Sequence, residues 1–253
     1  MTPRYIEPDW PAPERVVALS TTRAGGYSRG VYRGLNLGHH VDDDAGAVAE
    51  NRRLLQSELP AGAIVSWLTQ IHGNKVISAG GEQAYPCADG AWTVQPGQVC
   101  AVLSADCLPV LLCDKNGSAV AAVHAGWRGL LSGILETSVA AMPATPGDML
   151  AWLGPAIGPT AFEVGPEVRE GFVSAAAENS RAHVDQCFVP SPHFDGRFLA
   201  DLYTLARIRL AACGVSRIYG GEFCTLSDPE RFYSYRRDGQ TGRMATLIYL
   251  KSQ

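Results

Sequence analysis

Apolar residues crowd into one block near the middle of the chain, residues 99–129. Three runs of strand length lie within it, separated by turn chemistry. Asp114-Lys115-Asn116-Gly117 supplies an Asn-Gly pair that tolerates positive φ, so the runs on either side are expected to pair as a hairpin. Two runs end in reactive residues where inert loop residues would suffice, one at Asp106-Cys107 and one at His124. A thiol and an imidazole at the tips of neighbouring buried strands are held rigidly, which is how a site is pre-organised.

Outside this block the pattern predicts alternating strands and helices. Residues 16–19 form a strand, followed by a polar Gly-rich loop through Gly25-Gly26. Asn36 lies between Leu35 and Leu37, where a polar side chain either forms a turn or points into a pocket. Asp42-Asp43-Asp44 suits a capped helix start, and Val48, Leu54, Leu55 and Leu59 mark the helix, which Pro60 stops. A strand over 64–68 leads into Thr69-Gln70-Ile71-His72-Gly73, so His72 also sits just past a strand. Ala88-Asp89-Gly90-Ala91-Trp92 reads as a turn preceding the central strands. A helix over 130–142 makes His124-Ala125-Gly126-Trp127-Arg128-Gly129 a strand-to-helix junction. Free N–H groups and Arg128 there suit an anion such as phosphate, unless Arg128 pairs with a surface carboxylate.

Further on, residues 149–153 form a strand that ends in the rigid turn Gly154-Pro155-Ala156-Ile157-Gly158-Pro159. Residues 167–177 can be helical, with Pro166 at the first position. Residues 179–197 read as a polar excursion in which His183 and His193 are surface residues. Residues 199–213 form an amphipathic helix capped by Gly214, and 215–219 and 244–250 are strands. Between them, aromatics beside Arg236 and Arg237 either stack a base and hold a phosphate or form a hairpin with a charged tip.

The chain has 253 residues, 46% of them hydrophobic and 18% charged, enough for a sizeable core. With no repeat and no linker, one domain over 1–253 is expected. The rhythm of elements favours an α+β (mixed α/β) fold, a mixed central β-sheet flanked by helices, over a doubly wound parallel one. A net charge of −4 provides no basic field, which argues against nucleic acid as a partner. No apolar run approaches membrane-spanning length, and the first ten residues hold no signal-peptide hydrophobic region, so no membrane partner is expected. Seven scattered cysteines, several within apolar runs, read as a reduced, cytoplasmic protein.

His72, Cys107 and His124 are too far apart in sequence for a local zinc motif, but their chemistry is coherent. Two imidazoles and a thiolate leave a tetrahedral zinc one open position, and this mixed N/S set suits zinc better than magnesium or calcium. The same residues also suit a Cys107 nucleophile with His124 or His72 as base and Asp106 orienting the histidine, as in an amidase or other thiol hydrolase. A zinc-stabilised binding module without enzymatic activity is the third reading. The third donor favours the metal, since a Cys–His nucleophile pair does not need it.

Five stretches, in this order, resemble the motif set of one family: Thr69-Gln70-Ile71-His72-Gly73, Ala105-Asp106-Cys107-Leu108-Pro109-Val110, Val123-His124-Ala125-Gly126-Trp127-Arg128-Gly129, Gly154-Pro155-Ala156-Ile157-Gly158-Pro159 and Phe232-Tyr233-Ser234-Tyr235-Arg236-Arg237-Asp238. The family is YfiH, the laccase-domain family once labelled multicopper polyphenol oxidoreductases. The resemblance spans nearly the whole chain. It implies a fold similar to the Cys/His deamidating toxins and a metal, zinc with copper as the alternative, at His72, Cys107 and His124. It implies phosphorolysis of adenosine, inosine, guanosine and methylthioadenosine, and deamination of adenosine, with purine nucleosides and phosphate as partners. His72, Cys107, His124 and Asp106 would be catalytic; Asn36, Gln70, Arg128, Ser234, Arg236 and Arg237 would meet substrate. A monomer is expected. The copper polyphenol oxidase reading fits poorly, because several coppers need many His ligands and the chain has six His.

Overall fold

A strand buried on one face alternates apolar and polar residues, whereas one buried on both faces reads as an unbroken apolar run. A computed structural model, which describes residues 4–81 and 83–252, shows the second case at the centre of the chain. The ends of the expected 1–253 domain, residues 1–3 and 253, lie outside the described residues.

The chain opens with β1 (Tyr5–Ile6), β2 (Val16–Thr21), α1 (Ala45–Ser57), β3 (Ile64–Ser66), β4 (Val76–Ser78) and β5 (Gly90–Thr93). The apolar block forms β6 (Gln98–Ser104), β7 (Leu108–Asp114) and β8 (Val120–Ala125), followed by α2 (Trp127–Leu131), α3 (Ile134–Ala141) and β9 (Met149–Leu153). Then come β10 (Glu163–Val164), α4 (Pro166–Ala175), α5 (Arg181–Gln186), β11 (Phe188–Pro190) and β12 (Phe198–Ala200). The chain closes with α6 (Leu202–Ala212), β13 (Arg217–Gly220), α7 (Tyr235–Asp238) and β14 (Met244–Leu250).

The fold is the expected mixed α/β class, but its centre is two mixed sheets. One runs β1-β2-β14-β6-β3, the other β13-β9-β7-β8-β5-β4, and β10-β12-β11 form a small third. The two large sheets pack face to face. Cys100 and Val102 of β6 and Ile248 and Leu250 of β14 meet Leu111, Cys113, Val120, Ala122 and Trp152 of the other sheet. The alternate residues point outward. On the first sheet Val99, Ala101 and Leu103 pack against Leu55 of α1. On the second, Val110, Leu112, Ala121, Val123, Ala151 and Leu153 pack against α3 and α6 through Leu135, Val139, Leu205 and Leu210. Each central strand therefore fills two layers of core, and this is why it carries no polar stripe. Among the described residues no helix is long and apolar enough to cross a membrane.

Local chemistry sets several boundaries. The Asp44 side chain accepts from Ala47 N at 2.7 Å and caps α1, the role read for the triple Asp. The single helix expected over 130–142 is two, because Gly133 adopts φ 91 and ends α2 before α3 begins. The polar excursion over 179–197 contains α5 and β11. The helix expected from 199 starts at Leu202, where the Asp201 carboxylate accepts from Thr204 N, and the preceding residues form β12. The β7–β8 hairpin has a longer loop than an Asn-Gly pair alone would make, and only Gly117 takes a positive φ in it, 64°.

That loop is organised by Asp114. Its carboxylate accepts from Ser118 N at 2.6 Å, Ala119 N at 2.8 Å, Asn116 N at 3.1 Å and Ser118 Oγ at 3.0 Å. Burial pushes the carboxyl pKa up, but the backbone hydrogen bonds from Ala119, Asn116 and Ser118 outweigh it and hold the group below its ordinary value. A depressed carboxyl contributes stability that is complete above the unfolded value of about 4 and is lost as pH falls through the folded value. Asp114→Ala should therefore cost about 2 kcal/mol at neutral pH, the scale of hydrogen bonds to a charged group. Denaturant unfolding at stepped pH should show the gap between variant and wild type closing in acid.

Candidate metal centre

The antiparallel register of β7 and β8 sets Pro109 opposite His124. Cys107, two residues before Pro109, thus projects beside His124 at the rim of the sheet sandwich. His72 arrives from a different direction, on the segment that leaves β3 in one sheet for β4 in the other. Its ring meets that of His124 edge to face, with centroids 4.9 Å apart. One ligand atom from each of His72, Cys107 and His124 lies within 4.8 Å of the others. Gly126 makes the approach possible, since a Cβ there would sit 2.9 Å from Cys107 Sγ and 3.3 Å from His72 Cδ2. Gly129 likewise admits the Gly73 carbonyl, which a Cβ would meet at 2.8 Å.

Asp89 ties these pieces together. Its fully buried carboxylate accepts from Ile71 N at 3.2 Å, His72 N at 2.9 Å and Gly73 N at 2.8 Å. The same group bonds His124 Nδ1 at 2.9 Å, and the Asp89 carbonyl accepts from His124 N at 2.7 Å. His72 adopts φ 59, a conformation that costs energy outside glycine, and its amide bond to Asp89 helps hold it there. With Nδ1 engaged, Nε2 of His124 is left for the thiol or a metal, the usual arrangement behind a ligating histidine. Burial pushes the Asp89 carboxyl up, but His124 and the amides of Gly73 and Ile71 bring it below its ordinary value.

The electrostatics separate Cys107 from the other buried thiols. Burial pushes Cys100 and Cys113 up to about 12, which leaves them inert. Burial acts on Cys107 in the same sense, but the charge and hydrogen bond of His124, with those of His72, outweigh it and lower the thiol. His124 moves the opposite way: burial lowers it, and the Cys107 thiolate and Asp89 more than compensate. The centre thus collects a thiolate and a carboxylate around two imidazoles. This donor set and its negative charge fit a borderline divalent cation such as zinc.

The other residues singled out in the sequence take different places. The histidine-orienting role expected of Asp106 belongs to Asp89. Asp106 adopts φ 87 and accepts from Thr225 Oγ1 at 2.6 Å, Ser234 Oγ at 3.0 Å and Arg236 N at 2.7 Å. It braces the backbone beside Cys107, and its carbonyl accepts from Ile157 N of the Gly-Pro turn. Gln70 bolts the His72 segment to β6 through both the N–H and the carbonyl of Leu103. Asn36 is fully buried, donating to Asp43 and accepting from Gly38 N and Arg243 N. Ser234 caps α7 by accepting from Arg237 N.

The three expected cationic residues are likewise engaged or exposed. Arg237 donates to the carbonyls of Thr225, Leu226 and Phe232 and pairs with Asp238. Arg236 donates to the Glu163 carbonyl and lies over the Phe162 ring. Arg128 is exposed over the Trp127 ring, 4.4 Å from its centroid, and has no carboxylate in ion-pair range among the described residues. The helix it belongs to, α2, is only five residues long. The segment 231–243 is no simple hairpin but contains α7. A cavity of about 860 Å³ lies apart from the three donors, along Arg23, Gly25, Gly26, Arg29 and Arg33. Asp89 is the functional residue that sequence reasoning misses; its one signal is an acid between small residues immediately ahead of a strand.

Residues 17–251 match the family described as multi-copper polyphenol oxidoreductase laccase. The chain is 53% identical to a Pseudomonas aeruginosa protein named purine nucleoside phosphorylase, over 98% of each. It is 50% identical to the Escherichia coli protein named purine nucleoside phosphorylase YfiH, covering 98% of this chain and 99% of that one. The crystal structure of a Neisseria meningitidis protein superposes with a TM-score of 0.90 at 46% identity, covering 98% and 99% of the two chains. That of YlmD from Geobacillus stearothermophilus gives 0.89 at 31% identity, covering 98% and 96%.

Replacing Asp89 by Asn removes the negative charge behind His124 while keeping the shape. In metal-free Asp89→Asn the His124 pKa, followed by NMR, should fall below that of the wild type. The fold should lose about 2 kcal/mol as the amides of residues 71–73 lose a charged acceptor. An unmoved His124 titration would show that Asp89 does not set its charge.

Proposed function

The chain belongs to the multi-copper polyphenol oxidoreductase laccase family, and on that footing we propose that it is a zinc-dependent purine nucleoside phosphorylase. The observation that carries this reading is the convergence of His72, Cys107 and His124 on one point behind the Asp89 carboxylate. The names of the P. aeruginosa and E. coli relatives support the substrate class. His72, Cys107 and His124 would hold the zinc, and Asp89 would fix the His124 ring and the backbone at His72. When bound, zinc supplies a Lewis acid that polarises substrate oxygens and stabilises developing negative charge. Copper polyphenol chemistry is the weaker fit, because among the described residues this is the one cluster of His, Cys and acidic donors of that size.

In phosphorolysis of adenosine, inosine, guanosine or methylthioadenosine, a phosphate oxygen bonds to the anomeric carbon as the bond to the base breaks. The base leaves with the electron pair and takes up a proton. The chain must therefore hold an anion and the sugar at one point and exclude competing water. Deamination of adenosine to inosine is the second activity we propose, with water entering and ammonia leaving. Purine nucleosides and phosphate are the partners, and we place the protein in the cytoplasm as a monomer. A lowered thiol beside His124 also supports a second reading, in which Cys107 is the nucleophile of an amidase.

Purified protein incubated with adenosine should yield adenine and ribose 1-phosphate only when phosphate is present, and inosine with or without it, as read by mass spectrometry. Cys107→Ala and His124→Ala should each lose bound zinc and both activities together. Full zinc occupancy in either variant would overturn the three-ligand assignment. Chelator should inactivate the phosphorylase. A protein that survives chelator but is killed by a thiol alkylator would instead be the Cys107 hydrolase.

A further inference from the structure

A reaction that consumes phosphate needs a cation poised at the centre; Arg236 and Arg237 are engaged with carbonyls and Asp238, and Arg128 is exposed over the Trp127 ring. Arg243 is placed differently. It immediately precedes β14, whose Met244 faces Ser104 in register, so its backbone runs beside the turn that carries Cys107. Asn36 Oδ1 accepts from Arg243 N at 2.8 Å and Leu37 N donates to Arg243 O at 3.0 Å, which fixes that backbone. Gly38 makes room for the stem, since a Cβ there would lie 2.8 Å from Arg243 Cγ.

The side chain is half-buried, yet its guanidinium is only half used. Nη1 donates to the carbonyls of Thr241 at 2.9 Å and Gly242 at 3.0 Å. Among the described residues Nε and Nη2 make no hydrogen bond, and no carboxylate stands in ion-pair range of this side chain. The groups whose charges reach it are Cys107, Asp106, Tyr235 and Tyr32. Asp106 is already occupied by Thr225, Ser234 and the Arg236 amide. His40 stands within charge reach of Arg243, His39, Arg52 and His124. His40 is exposed, and partial desolvation together with these neighbours lowers its imidazole pKa. A guanidinium drawn partly out of water with no anion in direct contact is costly, and its free Nε–Nη2 edge is the fork that binds an oxyanion side-on.

We propose that Arg243 receives inorganic phosphate through Nε and Nη2 beside the His72–Cys107–His124 centre, with His40 as a neighbouring hydrogen-bonding group. This inference rests on the phosphorolysis reading for its choice of anion. Asn36, Gly38 and Gly242 then act as positioning residues that set the arginine in place.

The test compares wild type, Arg243→Lys and Arg243→Met, each with its metal as isolated. Calorimetry with inorganic phosphate gives binding, and initial rates with inosine give KM for each substrate. Phosphate Kd and KM should rise about ten- to hundredfold in Arg243→Met, the scale of lost charge-assisted hydrogen bonds. Arg243→Lys should recover part of this loss, because the charge remains and the fork does not. Inosine KM and bound metal should stay near wild-type values in both. Unchanged phosphate binding in Arg243→Met, or an equal loss of inosine affinity, would overturn the assignment. Should Arg243→Met not fold, Arg243→Lys carries the same comparison. A wild type that binds phosphate through Arg243 yet splits no nucleoside would sink the functional reading and leave the anion site standing. A wild type that splits inosine with a phosphate KM indifferent to both substitutions would do the reverse.

Discussion

The centre depends on a single buried carboxylate that accepts four hydrogen bonds. Asp89 is fully inaccessible and binds three successive amides of the His72 turn and the ring of His124. A carboxylate in that position would be costly if any large part of its bonding capacity were unmet. Because it is met by two separate segments of the chain, one group fixes both the backbone conformation at His72 and the tautomer at His124. Strain at His72 is sustained by the same bonds that aim the site.

The sheet sandwich explains why the site lies where it does. Its interior is apolar and filled, so chemistry has to sit at the rim, where strands end and the chain crosses between sheets. Cys107 lies on the crossing from β6 to β7, and His72 on the crossing from β3 to β4. Glycines at 126 and 129 let these segments touch, and Gln70 fastens one of them to Leu103. Around this rim the polar residues divide into two kinds. Asp106, Ser234, Arg237 and Asn36 satisfy buried backbone and one another, whereas His72, Cys107, His124 and Arg243 keep donor or acceptor capacity in reserve.

That division bears on how motif residues are interpreted. Ser234, Arg236 and Arg237 sit in a stretch that invites a ligand-binding role, yet their polar atoms are largely engaged with Asp106, Glu163, Thr225, Leu226 and Phe232. Ser234 Oγ and the Arg236 backbone N–H bond the carboxylate of Asp106, the residue at positive φ beside Cys107. Arg243, with Nε and Nη2 unspent among the described residues, follows this stretch, where a sequence pattern offers no distinguishing mark.

The order of amino acids alone is enough to place the three central strands, the capped start of α1, Cys107 and His124 at strand tips and, by resemblance, the company of His72. These are local properties: side-chain period, turn chemistry and capping depend on residues near one another in the chain. The splitting of the apolar runs between two facing sheets emerges only in three dimensions, because a run buried on both sides looks the same whichever layers cover it. So do the orientation of His124 by Asp89 in place of Asp106, and the distinction between the engaged Arg236 and Arg237 and the half-engaged Arg243. Those outcomes depend on hydrogen-bond partners distant in the chain, and a buried polar group takes whichever partner the packing brings within reach.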